Sequence, residues 1–200
     1  LTCHIRRLLM QTVPLYLEAD DKSSTKTPGA LLRSLLDILQ CMLKYTENIV
    51  HQTSQAQKSG TGGDTQTAED LLLANKPLMD LSSQLIQLLR SEDTEIFVSA
   101  SRCFLLLGQL YGGDSQKIMS PENMDSFAEV LKSKKDKQQL KHLLKIVIRL
   151  AVVAYVRQVC TSMDALTACI AGNEEKASQL RMPLQHVLLE MRKRHRSMMG

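Results

Sequence analysis

The residues most able to do chemistry are five histidines, His4, His51, His142, His186 and His195, and five cysteines, Cys3, Cys41, Cys103, Cys160 and Cys169. A zinc site needs several such groups close together on one face, with short fixed spacings between them. None of the histidines has that company, and Cys160 and Cys169 are nine residues apart, out of helical register. A cysteine nucleophile needs a neighbouring base in a polar pocket. Cys103 and Cys160 lie instead in apolar runs, where a thiol is core filling. Gly60-Thr61-Gly62-Gly63 lacks the lysine, the strand and the helix of a phosphate-binding loop. The sequence predicts no enzyme, no metal and no cofactor.

The residues left to carry function are polar side chains that interrupt apolar helical runs. Arg102 and Gln109 do so in one stretch, Lys145 and Arg149 in a second, and His186 with Arg192 in a third. A cation among Leu, Ile and Val is costly to bury alone, so it reaches solvent, pairs with an acid of a neighbouring helix, or meets a negatively charged partner. Near the end, Arg192, Lys193, Arg194 and Arg196 form a basic run with His195. That run could contact an acidic partner, serve nuclear import, touch nucleic-acid phosphates, or complement a helix C-terminus. Lys132, Lys134, Lys135 and Lys137 read as a soluble turn. Aromatic content of 4% with no Trp leaves no stacking platform for single-stranded nucleic acid.

Helices must position these side chains, and the chain states one helix-pair pattern twice at an offset of 42 residues. Leu85-Ile86-Gln87-Leu88-Leu89-Arg90-Ser91 returns as Phe127-Ala128-Glu129-Val130-Leu131-Lys132-Ser133. Past a charged turn, Val98 falls on Leu140, Phe104 on Ile146, Leu105 on Val147, Leu106 on Ile148 and Leu110 on Val152. A third copy runs from Ser162-Met163-Asp164-Ala165-Leu166 through Leu180, Leu184 and Leu188, with Pro183 inside its second helix and a charged, capping end. Helix pairs of about 40 to 47 residues that recur are the mark of solenoids whose neighbours bury each other's apolar faces.

Upstream, Ile5, Leu8, Leu9 and Val13 predict a helix over Cys3 to Leu17 that Pro14 disturbs. Asp20 to Thr27 reads as a loop, and Ala30 to about His51 as a long helix whose wide apolar face includes Leu31, Leu32, Leu35, Leu36, Ile38, Leu39, Met42 and Leu43. Residues 1–51 are thus N-terminal helices of the array. Gln52 to Thr67 holds three glycines and nothing apolar larger than Ala56, and reads as a flexible insertion. Residues 68–200 hold the repeats. There Thr67 is expected to cap a short helix, Pro77 to begin the next, a helix to run from Glu95 to Tyr111, Ser120-Pro121 to open another, and Gln139 to start the longest.

Leu88-Leu89-Arg90-Ser91-Glu92-Asp93 resembles the leucine pair, small residue and acidic turn of armadillo repeats, and Ala100 stands where that family keeps a small packing residue. The resemblance covers Leu78 to Arg196 and extends loosely to HEAT repeats. It implies an all-α, armadillo-like superhelix of stacked helix pairs that acts as an adaptor surface. Where peptide-binding members show asparagines to the groove, this chain has Leu106 and Ile148.

Composition agrees: 44% apolar and 23% charged residues with a net charge of +4 describe a folded domain. The apolar stretch Leu143 to Val156 is too short for a membrane span and carries Lys145 and Arg149. Scattered cysteines in odd number suit reduced thiols of an intracellular protein, nuclear or cytoplasmic. Leu1 in place of Met predicts a piece of a larger chain. The expectation is a scaffold or regulatory-subunit region that docks an acidic or amphipathic helical segment of a partner protein. Its alternative is a nucleic-acid-associated helical domain using the basic end.

Overall fold

A computed structural model describes residues 1–20, 27–60, 62, 64–112, 117–118, 120–147 and 149–150. Its elements are α1 (Thr2–Asp20), α2 (Thr27–Lys58), α3 (Thr65–Asn75), a 3-10 turn (Lys76–Leu81), α4 (Ser82–Leu88), α5 (Thr94–Tyr111) and α6 (Pro121–Ser133). Helical backbone continues over 137–147 and 149–150, and no strand occurs among the described residues. The fold is all-α. The backbone divides into two compact units, Leu1–Leu110 and Tyr111–Gly200.

In the first unit the core is built on the inward stripe of α2. Leu32, Leu35, Leu36, Leu39 and Leu43 are all buried at the three- and four-residue steps that put side chains on one helical face. Fully burying each is worth about 1.5–3 kcal/mol. Ile5, Leu9, Val13 and Tyr16 form the matching stripe of α1. Pro14 lies inside α1 rather than ending it. It is on the exposed side, while its buried neighbours Val13 and Tyr16 anchor the helix on both sides of it.

Polar groups tie these helices at defined levels. The Asn75 side chain donates to Thr46 Oγ1 at 2.9 Å and accepts from Thr2 Oγ1 at 2.9 Å, so the start of α1 and the middle of α2 meet at one residue. At the other end of α1, Tyr16 OH and Ser91 Oγ share a buried 2.8 Å hydrogen bond. Ser91 Oγ also accepts from Asp93 N at 3.1 Å, and Asp93 caps α5 by accepting from Glu95 N and Ile96 N. Arg33 of α2 reaches the same corner, 2.7 Å from Glu95 and 3.5 Å from Asp93.

Several boundaries differ from expectation. Helix α2 continues through Gln52–Lys58, because that stretch holds good helix formers such as Gln, Ala and Lys and no breaker. The turn that follows uses Gly60 and Gly62, both at φ 71, the left-handed conformation that glycine adopts without a Cβ clash. Asp64, not Thr67, is the N-cap of α3, accepting from Thr67 N. Its carboxyl is held below the ordinary value of 3.8, first by the Thr67 hydroxyl and then by the Thr67 N–H. The cap therefore contributes fully above the unfolded pKa and is lost as pH falls through the lower folded one. Pro77 opens a 3-10 turn rather than an α-helix. Ser120 and Pro121 open α6 as expected, with Ser120 accepting from Asn123 N. The next helix begins at residue 137, capped by Asp136, which accepts from Gln139 N at 2.7 Å.

Part of the 42-residue pattern is matched in burial, although Ser91 is buried where Ser133 is exposed and Val98 is half-buried where Leu140 is buried. Leu85, Ile86, Leu88 and Leu89 are buried, as are Phe127, Ala128, Val130 and Leu131, while Gln87 and Arg90 are exposed like Glu129 and Lys132. Phe104 and Ile146 are both buried. The third copy lies outside the described residues.

Tyr16→Phe removes one partner of the Tyr16–Ser91 bond and keeps the ring. It should lower stability by about 1 kcal/mol, seen as a lower urea midpoint at unchanged m. An unchanged midpoint would show that the bond contributes nothing net.

Candidate functional site

The candidate site is a set of exposed polar side chains on helices whose other faces are buried. Along α5, Ile96, Phe97, Ala100, Cys103, Phe104 and Leu107 face inward. Arg102 and Gln109, seven residues apart and so about two turns along one side, are exposed. Lys145 and Arg149 are also exposed and four residues apart, with Ile146, Val147 and Leu150 buried around them. The structure thus brings the expected residues together as two pairs, each on one helix. His186, Arg192, Lys193, Arg194 and Arg196 lie outside the described residues.

Ion pairing separates these cations from some others on the surface. Arg6 pairs with Asp80 at 2.8 Å, Lys44 with Glu47 at 2.7 Å and Lys132 with Glu129 at 2.8 Å. Among the described residues no ion pair joins Arg102, Lys145 or Arg149 to an acid. Their charges stand in solvent, the arrangement that costs least when no fixed acid is near. Of the lysine-rich turn, Lys135 and Lys137 are exposed, whereas Lys134 is buried.

No group of three or more His, Cys, Asp or Glu side chains that could hold a metal occurs among the described residues. Cys103 is buried, and its Sγ lies 3.6 Å from the Leu36 carbonyl, to which it donates. Burial above all, and then the nearby Asp37 carboxylate, push its thiol far up from the ordinary value. A thiol so held stays protonated and is a poor nucleophile. Burial also raises the Tyr111 phenol to about 12. No described helix is long and apolar enough to cross a membrane.

Sequence reasoning set Leu8, Leu31 and Ile38 among the apolar positions that define these helices, and the structure exposes all three. Each lies at the edge of its helix's apolar arc, where helical spacing alone cannot tell core from rim. The signal that marks them is the seven-residue step linking Leu1, Leu8 and Leu15, and likewise Leu31, Ile38 and Tyr45.

Over 147 residues, 74% of its length, the chain is 51% identical to the mouse serine/threonine-protein kinase ULK4, of which this covers 11%. The chain therefore spans about a tenth of the relative's length. No family model matches the sequence, and no solved structure matches it. The marks of a kinase catalytic centre, a G-x-G-x-x-G loop, an H-R-D triplet and a D-F-G triplet, do not occur in the 200 residues.

Thiol labelling reads the buried state of Cys103 directly. In the folded chain Cys41, which is exposed, should react with iodoacetamide orders of magnitude faster than Cys103, whose labelling waits for opening of the unit. Mass mapping of the two sites checks this. Equal rates would overturn the inert reading of Cys103.

Proposed function

We propose that this chain is a non-catalytic docking region of a larger intracellular protein, nuclear or cytoplasmic, and that it binds an acidic or amphipathic helical segment of a partner protein. The observation that carries the reading is the exposure of cations that interrupt apolar helical runs. Those with structural work to do, such as Arg6 and Arg33, hold acids, whereas Arg102, Lys145 and Arg149 stand exposed beside buried apolar residues without an acid among the described residues. An acidic helix can supply carboxylates to either set of cations, Arg102 on α5 or Lys145 with Arg149, and lay its apolar residues beside them. Exposed cations also raise the on-rate for such a partner.

The armadillo-like superhelix belongs to this proposal. The similar burial of Leu85–Leu89 and Phe127–Leu131 supports stacked helix pairs. That 147 residues make up only 11% of the mouse kinase supports a region within a longer polypeptide. The absence of kinase motifs supports a role other than phosphoryl transfer. On this reading His186 and the basic residues Arg192, Lys193, Arg194 and Arg196, which lie outside the described residues, are further partner-binding positions.

The test titrates the chain against a fluorescent Leu/Glu amphipathic helical peptide and, separately, a 20-base-pair DNA duplex. Peptide binding should survive moderate salt and fall at least tenfold in the variants Arg102→Glu and Lys145→Glu/Arg149→Glu. Stability should stay within about 0.5 kcal/mol, as for other surface substitutions. Tight duplex binding with a steep salt dependence, and none to the peptide, would favour a nucleic-acid role instead. Variants that unfold would mark these residues as structural and sink the proposal.

A further inference from the structure

Six large apolar side chains stand out of the first unit in two files of equal step. Leu1, Leu8 and Leu15 run along α1 and its N-terminal end, and Leu31, Ile38 and Tyr45 along α2, each between 40% and 79% exposed. Seven residues are nearly two turns, about 10.5 Å. Each file is therefore a straight line of side chains along its helix.

The two files lie side by side and in register. Thr2 and Thr46 both bond Asn75, and at the other end a methyl placed on Gly29 would lie 3.8 Å from Tyr16 Cε2. Helices α1 and α2 are therefore antiparallel, with residues whose numbers sum to about 46 at one level. The files pair as three rungs: Leu1 with Tyr45, Leu8 with Ile38, and Leu15 with Leu31.

Their common direction follows from what the other flanks touch. On α1, Thr2 and Arg6 flank the buried stripe on the side away from the file, and they bind Asn75 and Asp80. On α2, Arg33 likewise lies across the buried stripe from the file and binds Asp93 and Glu95. Both files thus point away from the helices that follow, on the open flank of the α1–α2 pair.

We propose that this face binds a second copy of the chain about a two-fold axis parallel to the helices, each α1 file seated on the α2 file of the other copy. Rotation about such an axis keeps every rung at its level and sets α1 against α2 antiparallel, so the equal files meet rung for rung. Self-complementarity of this kind is what a two-fold interface requires. Three residues beyond each rung member lie His4, Gln11 and Glu18 on α1, and Ser34, Cys41 and Asn48 on α2, all exposed. This border holds no Lys or Arg and only one carboxylate. Closing the face desolvates little charge, as in interfaces with an apolar centre and polar rim. With 19 residues in α1, the face is about 28 Å long and about 20 Å wide, of the order that gives a stable dimer its roughly 800 Å² per partner. This inference rests on the two files alone and is independent of docking through α5.

Sedimentation of the full 200-residue chain should show a dimer at micromolar concentrations. L8E and I38K should each be monomeric with unchanged helical circular dichroism, and an equimolar mixture should recover the dimer, because the new carboxylate and ammonium then face one another. If either variant loses helicity, Leu8→Ala and Ile38→Ala take their place and should each weaken dimerisation at least tenfold. A wild-type monomer at every concentration overturns the proposal and leaves the face to a different helix. So does a dimer that persists in all these variants, or a mixture of folded L8E and I38K that stays monomeric.

Discussion

A helix with one apolar stripe keeps its shape in water only while something covers that stripe. In this chain the constraint is met first at α2, whose Leu32, Leu36, Leu39 and Leu43 are wholly excluded from solvent. Much of the first unit is arranged so that this stripe stays dry. The same stripe makes α1 necessary on one side and draws α5 in on the other, where Cys103 meets the Leu36 carbonyl. A helix of 32 residues gains stability through these contacts far more than through propensity.

Apolar burial alone would let the helices slide, since methyl groups pack acceptably at more than one level. The buried polar groups remove that freedom. Asn75 would leave donors and an acceptor unmet if α1 or α2 shifted by a turn, a loss of about 1–3 kcal/mol for each buried group. Tyr16 with Ser91 does the same at the opposite end, and Arg33 fastens α2 to the capping corner of α5. The exposed ion pairs add little stability of their own. Their effect is to settle which acids are taken and which cations remain free.

That allocation shapes what the surface can do. The buried Cys103 thiol and Tyr111 phenol are held in their neutral forms by lost hydration. Two features of the described surface stand out: the cations on α5 and near residue 149, and the aligned apolar files on α1 and α2. The first suits charge-guided recognition. The second suits close packing against another helix.

Much of the element list was legible in the sequence, because it depends on local rules. Three- and four-residue apolar spacing marked the helices, and Ser120-Pro121 marked the start of α6; of the positions aligned by the 42-residue echo, Leu85–Leu89 and Phe127–Leu131 match in burial, whereas Ser91 is buried and Ser133 exposed. Local chemistry also decided what was misread: Gln52–Lys58 lacks large apolar groups yet holds no breaker, so α2 runs through it. The burial of rim positions was not legible. Leu8 and Leu9 are the same residue type one step apart, but α1 turns Leu9 into the core and leaves Leu8 in solvent, a choice made by where the next helices lie. The pairing of cations was equally hidden, since Arg33 finds Glu95 across 62 residues of chain while Arg102, in an equally apolar run, meets no acid among the described residues. Periodicity fixes which side of a helix is apolar; only tertiary packing decides how wide an arc of it is covered and which charges come within reach.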